Sequence, residues 1–291
     1  MSKKQQVLAR SVPLDAPAHR LLRVPKDFRL GAVDPRSAPG YSGNKLSAAA
    51  DLKETGRVLD ELQERLFAAS RSGATPKVLL ILQAMDTAGK GGIVRHVVGM
   101  VDPQGVEHHA FKAPTEEERA HDFLWRIEKE LPGAGHIGVF DRSHYEDVLI
   151  HKVRGYADEA ELERRYAAIN EFEARLVAAD TKVIKVMMHI SKDEQRSRLA
   201  ERLERPDKYW KFNPGDIDER LLWDDYMNAY EVAINRTNTE AAPWHVIPAN
   251  RKWYARLAVA SLLREALEEI DPQWPPAAFD VAEQLARLQN S

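Results

Sequence analysis

The sequence predicts an α/β fold built on a parallel five-stranded sheet with helices on both faces. Three observations carry that prediction. Short apolar segments recur at 78–83, 106–111, 136–140, 182–189 and 244–247, each of strand length. The stretches between them are long enough for crossover helices, and several repeat apolar residues at helical spacing. At 77–95, KVLLILQAMDTAGKGGIVR, an apolar run passes through a glycine-rich turn into an amphipathic helix that begins near Ile93. Strands joined by helical crossovers pair in parallel and need cover on both faces. Such a sheet takes its ligands beyond the carboxyl ends of its strands.

Composition narrows the class. A chain of 291 residues with 44% hydrophobic content can bury a large core in one or two domains. The formal net charge is −3, so bulk charge gives no support for a nucleic-acid or membrane-surface partner. The absence of cysteine excludes disulfides, thiolate catalysis and cysteine-ligated zinc. Met1–Arg10 is polar and lacks the apolar core of a signal peptide, and no stretch approaches the roughly 20 apolar residues of a membrane span. A cytoplasmic protein is expected.

In chain order, residues 1–45 are rich in Pro, Gly, Ser and charge and read as an N-terminal arm, with 30–45 wrapping the surface. The remaining 46–291 form the main domain. Ser47 reads as an N-cap for a helix carrying Leu52, Val58, Leu59, Leu62 and Leu66 and ending near Gly73. After the strand at 78–83 and its loop, Pro103-Gln104-Gly105 turns into the second strand. Thr115 with Glu118 forms a capping box and opens a helix to about Leu131. The third strand, 136–140, precedes a helix starting near Tyr145 and a long one over 158–179. Ser191 with Glu194 repeats the capping signature after the fourth strand. The fifth strand, 244–247, leads into a helix at 251–270 with its apolar stripe on Trp253, Leu257, Ala260, Leu263 and Leu267. A last helix is expected over 279–288.

The loop at 84–92 has the make-up of a phosphate cradle. Gly89, Gly91 and Gly92 allow close approach of backbone N–H groups to an anion, and Lys90 adds a point charge. It departs from G-x-x-x-x-G-K-[ST] twice: Ala84 replaces the first glycine, and Gly91 stands where a hydroxyl would touch a metal. Another oxygen ligand is then required, and Asp86 can provide it; the bland alternative is a βα turn that binds nothing. Asp141 closes the third strand at the same sheet edge, where a second Mg²⁺ ligand belongs, unless it only caps the next helix. Arg142 either clamps a phosphate or pairs with Glu146 or Asp147. Glu146 either faces the site or merely complements a helix dipole, and spacing leaves the two open. Between 192 and 220, Arg198, Arg202 and Arg205 share a helix face, followed by Lys208 and Lys211. Glu194–Arg198 and Glu201–Arg205 have the spacing of exposed ion pairs, whereas Arg202 has no acid four residues before it. A mobile lid is the functional reading of this segment.

Taken together, AMDTAGKGGI, VFDRSHYEDVL, ISKDEQRSRLAERLERPDKYWKFNPGD and YEVAINRTNTEAAPWHVIPANRKWYARL resemble the polyphosphate kinase 2 family over about residues 30–270. The resemblance implies a P-loop kinase core with a helical lid, similar to thymidylate kinase. It implies phosphoryl transfer between inorganic polyphosphate and AMP or ADP, giving ADP and ATP, with Mg²⁺ as cofactor and a homo-oligomeric enzyme. On matching positions it assigns Asp86 and Asp141 to the metal, and Lys90 and Arg142 to the phosphates in transfer. Arg198, Arg202, Lys208 and Lys211 match the lid's basic pattern. Glu146, in a YED context, resembles the subtype accepting AMP as well as ADP. The competing expectations are an ATP-dependent nucleoside monophosphate kinase and a non-catalytic nucleotide sensor on a P-loop scaffold. A nucleic-acid-dependent ATPase is disfavoured by charge balance and by the lack of aromatic–basic stacking platforms.

Overall fold

The computed structural model describes residues 13–291, so the reading of Met1–Arg10 lies outside the described residues. A five-stranded sheet forms the centre: β1 (Lys77–Gln83), β2 (Val106–Ala110), β3 (Ile137–Asp141), β4 (Thr181–His189) and β5 (Trp244–Pro248). The strand order is β2-β3-β1-β4-β5 and every pairing is parallel. Val78–Leu82 are all fully buried, as a central strand covered on both faces must be. β2 lies at an edge and is largely exposed.

Helices supply the cover. α1 (Ala18–Leu21) lies in the arm, and α2 (Lys45–Ser70) packs against α11 (Lys252–Ile270). α3 (Lys90–His96) follows the glycine loop, starting three residues earlier than its apolar pattern suggests because the glycines already adopt helical geometry. α4 (Glu116–Arg119), α5 (Trp125–Glu128), α6 (Glu146–Val153), α7 (Glu159–Ala178) and α8 (Lys192–Glu204) come next. α9 (Gly215–Leu221), α10 (Trp223–Thr237) and the terminal α12 (Val281–Gln289) complete the set.

Several local expectations need correction. Asn44, not Ser47, caps α2: its side chain accepts from Leu46 N and Ser47 N, and Ser47 closes the capping box from the third helical position. The Thr115–Glu118 box forms, but the helix ends after one turn and resumes only at Trp125, where Asp122 Oδ1 accepts from Leu124 N and restarts it. Ser191 caps α8 by accepting from Glu194 N, without the return bond. α10 is absent from the sequence expectations, although Tyr226, Ala229, Tyr230, Ala233 and Thr237 line its buried face.

The arm is more than a surface wrap. Leu14, Ala18, Leu22, Val24, Phe28 and Leu30 are buried in the core. Glu265 of α11 accepts from Ala18 N at 2.6 Å and His19 N at 2.9 Å, and thereby caps α1. Val24 N donates to Trp244 O and Val246 N to Leu22 O, both at 3.0 Å, around an antiparallel bridge between Arg23 and His245. Residues 34–43 do lie at the surface, half-buried or exposed. Among the described residues, no helix is long and apolar enough to cross a membrane.

Candidate active site

The register of the sheet decides what meets at its carboxyl edge. Leu82 of β1 pairs with Asp141 of β3, so the glycine loop and Asp141 leave the sheet side by side. A cavity of about 830 Å³ opens there, lined by the loop, the start of α3, the end of β3, the segment 198–216 and the first turns of α11. Among its lining residues Lys90, Arg95, Lys112, Arg142, Arg198, Arg202, Lys208, Lys211, Lys252 and Arg256 are basic, and Asp86, Asp141, Glu201 and Asp216 acidic. That ratio of ten to four stands in a chain whose net charge is −3. A water-filled cleft with such an excess concentrates polyanions.

The loop carries local backbone strain. Gly89 has φ +120°, which only glycine adopts without cost, and Thr87, a β-branched residue, has φ +67°. Arg198 holds the turn in place. Its Nη1 donates to Thr87 O at 3.0 Å and Ala88 O at 2.8 Å, and its Nη2 to Ala249 O at 2.7 Å and Asn250 O at 3.1 Å. Its Nε donates to Glu194 at 2.8 Å, so all five guanidinium donors are committed. Arg198 lines the cavity with the other basic residues, and its hydrogen bonds also brace the loop. Lys90 donates to Ala84 O at 3.0 Å, which keeps its ammonium over the loop.

Arg142 Nη2 donates to Asp86 Oδ1 at 3.1 Å and makes no ion pair with Glu146 or Asp147, against the sequence alternative. The Glu146 carboxylate nevertheless lies near enough to hold the guanidinium's pKa above its ordinary value, with Asp86 adding to the effect. Glu146 is not among the cavity-lining residues. It sits behind Arg142 and keeps a little accessible surface. With its amide oriented to satisfy both ends, Gln83 donates to Glu146 Oε1 at 3.0 Å and accepts from Ser143 Oγ at 3.0 Å. Burial raises the Glu146 carboxyl above the ordinary glutamate value, only partly offset by Arg142 and Lys90.

The donors present suit a hard divalent cation. Asp86 and Asp141 both line the cavity, and the Asp141 carboxylate forms no hydrogen bond or ion pair among the described residues. Thr87 Oγ1 beside them is buried without a partner. Among the described residues no cluster of three or more His, Asp or Glu forms a closed cage. Two carboxylates leave most of a coordination sphere to water and substrate phosphates, the arrangement an Mg²⁺-sized ion favours.

The segment after β4 consists of α8, a 3-10 turn at Pro206–Lys211 and α9. Arg202, with no acid four residues before it, donates instead to Asp216 Oδ2 at 3.1 Å and Lys211 O at 2.8 Å. Lys208 pairs with Glu201, and Arg205 pairs with Glu201 and Asp207 away from the cavity. Trp210 lies at the cavity with Lys211 Nζ 4.8 Å from its ring centre. Sequence reasoning missed Arg95, Lys112, Lys252 and Arg256. Lys252 and Arg256 sit one turn apart at the start of the helix after β5, and that position at the carboxyl edge was the available signal.

Comparison with known proteins extends the picture beyond the cavity. The family model described as Polyphosphate kinase 2 matches residues 44–275. The chain is 46% identical over 248 residues to the AMP/ADP-polyphosphate phosphotransferase of Meiothermus ruber, covering 85% of this chain and 91% of that protein. It is 42% identical over 244 residues to the ADP-polyphosphate phosphotransferase of Rhodopseudomonas palustris, covering 80% and 83%. The crystal structure of polyphosphate kinase 2 from Arthrobacter aurescens TC1 superposes with a TM-score of 0.94 at 59% identity, over 97% of this chain and 99% of that one. A profile match over most of the chain, joined to a near-complete structural match, leaves one assignment: this chain belongs to the polyphosphate kinase 2 family.

Proposed function

We propose that the protein transfers the terminal phosphoryl group of inorganic polyphosphate to AMP or ADP, giving ADP and then ATP. The observation that carries this reading is the cavity's excess of basic side chains in an acidic chain. A nucleotide alone needs only a few cations, whereas polyphosphate bears about one charge per phosphate and needs a continuous basic lining. The printed activities of the Meiothermus and Rhodopseudomonas relatives agree with it.

In the transfer, a terminal phosphate oxygen of the acceptor attacks the end phosphorus of the polymer. A new P–O bond forms as the bond to the penultimate phosphate breaks, and the shortened polymer leaves as an anion. The attacking oxygen is already ionised at neutral pH, so no general base is required. The work left to the chain is positioning and neutralisation. Lys90 and the loop amides hold phosphate oxygens beside Arg142, whose planar guanidinium bridges two of them. Arg202, Lys208 and Lys211 hold the rest of the polymer, and Arg95, Lys112, Lys252 and Arg256 extend the basic lining. Asp86 and Asp141, with Thr87 Oγ1 adjacent, would hold Mg²⁺. When bound, the ion neutralises charge on the reacting phosphates and helps align them.

The test is incubation of the pure protein with polyphosphate, Mg²⁺ and AMP or ADP, followed by chromatography of the nucleotides. ADP and ATP should appear only with polyphosphate present. Strong ADP formation from AMP with ATP as sole donor, and none with polyphosphate, would replace this reading with that of a nucleoside monophosphate kinase.

A further inference from the structure

Behind the cleft the chain buries charged groups that the transfer does not touch. Lys185 of β4 is fully buried, and its Nζ donates to Glu173 Oε2 at 2.6 Å, Thr237 O at 2.6 Å and Tyr145 Oη at 3.0 Å. Tyr145 Oη donates to Glu173 Oε1 at 2.7 Å, and His144 Nε2 lies 3.4 Å from the same oxygen. Burial opposes charge on Glu173, but Lys185 and His144 outweigh it and hold the carboxyl below its ordinary value. Burial pushes the Lys185 ammonium below its ordinary value, with Glu173 opposing, and the two groups meet at 2.6 Å in the core.

Such a pair is a poor way to stabilise a core, since apolar side chains of similar volume usually serve as well or better. What this one does hold is a single turn, residues 142–146. Arg142 begins it with φ +66°, a left-handed conformation that a non-glycine residue adopts only when its surroundings enforce it. Glu146 ends it. Between them Ser143, His144 and Tyr145 are all fully buried. The Tyr145 ring meets Trp244 edge to face at 4.6 Å, and Trp244 Nε1 donates to Thr237 Oγ1 at 2.8 Å. On the cleft side the turn is tied to Gln83, and on the core side to the ion pair.

Building on the function proposed above, we infer that Tyr145, anchored by the Glu173–Lys185 pair, is a positioning residue of the active site. It fixes the left-handed turn at Arg142 and the spacing between Arg142 and Glu146, and so sets how the acceptor phosphate meets the reacting phosphoryl group. The polymer-holding cations at 202–211 lie on other elements and do not depend on it.

The test uses full-length protein in steady-state assays with polyphosphate, Mg²⁺ and AMP or ADP, alongside thermal melting. Tyr145→Phe removes only the hydroxyl. It should lower kcat at least tenfold, leave the polyphosphate KM within twofold and shift Tm by only a few degrees. The double variant Glu173→Leu/Lys185→Met removes both charges together, so no lone charge stays buried. It leaves the buried Tyr145 hydroxyl and His144 Nε2 without their acceptor, so Tm should fall moderately while kcat per folded protein drops to a similar extent. In a Glu146→Gln background, Tyr145→Phe should add little further loss, because both act on one spacing. If both variants keep kcat within twofold of native, or lose it only in proportion to folded protein, the inference is overturned while the functional reading stands. A native protein without polyphosphate-dependent turnover would overturn both.

Discussion

Arg142 Nη2 stands 3.1 Å from Asp86 Oδ1, tying the end of β3 to the glycine loop that leaves β1. Asp86 is thus shared between a guanidinium and the proposed metal, and Arg142 between that carboxylate and the proposed phosphates. This one pair is matched before a polyanion enters, and it ties together two segments with left-handed residues, Thr87 and Arg142.

Arg142→Ala should lower kcat/KM by about 10- to 100-fold, the loss expected for charge-assisted hydrogen bonds to a phosphate. Arg142→Lys should recover only part of it, because a point charge cannot bridge two oxygens. Initial rates of ATP formation from ADP and polyphosphate measure both.

Asp141→Asn should raise the Mg²⁺ concentration giving half-maximal rate by about tenfold or more, with Tm nearly unchanged because the carboxylate supports no protein contact. Mg²⁺ titration of the rate decides it. A variant with native Mg²⁺ dependence would remove Asp141 from the metal's ligands.

Arg198 and Arg202 should separate stability from binding. Arg198→Ala strips four backbone carbonyls of their donor and leaves the loop at Thr87 unbraced, at a cost of about 3–5 kcal/mol. Tm should drop by roughly 6 °C or more and turnover with it. Arg202→Ala should leave Tm within about 2 °C, as expected for a partly exposed pair, and raise the polyphosphate KM severalfold.

Stability should fall on mild acidification. Burial holds both His189 and His245 at a pKa of about 4. His189 Nδ1 and His245 Nε2 are buried without partners, so neither ring has a group to receive a second proton's charge. In the unfolded chain both titrate near pH 6.5, so the contribution is complete above that value and is lost as pH falls toward 4. Each is worth up to about 3 kcal/mol. Tm recorded from pH 7.5 to 5 should decline, and His189→Met should flatten the decline.

Most of the sheet was legible because five apolar runs and their spacing leave little choice of topology. The glycine loop and Asp141 were legible for the same reason, since both follow directly from strand ends. The lid was read less well. Helical spacing groups Arg198 with Arg202 but does not say that the first reaches under the loop and the second along the cavity wall to Asp216. The second helix after Thr115 was misjudged because capping marks where a helix starts and not where it stops. Arg95, Lys112 and Arg256 come from three separate elements, and only the fold brings them to one wall.

The antiparallel bridge at Arg23 and His245 has a consequence for solubility. A parallel sheet of this order has two bare margins, each a template for another strand. The arm seals the β5 margin with main-chain bonds. The β2 margin is short and presents Glu107, His108 and His109, a hydrophilic fringe that discourages a stray strand from docking. Removing the arm would therefore expose an apolar seam and invite intermolecular sheet growth, so these residues act as a built-in guard against aggregation.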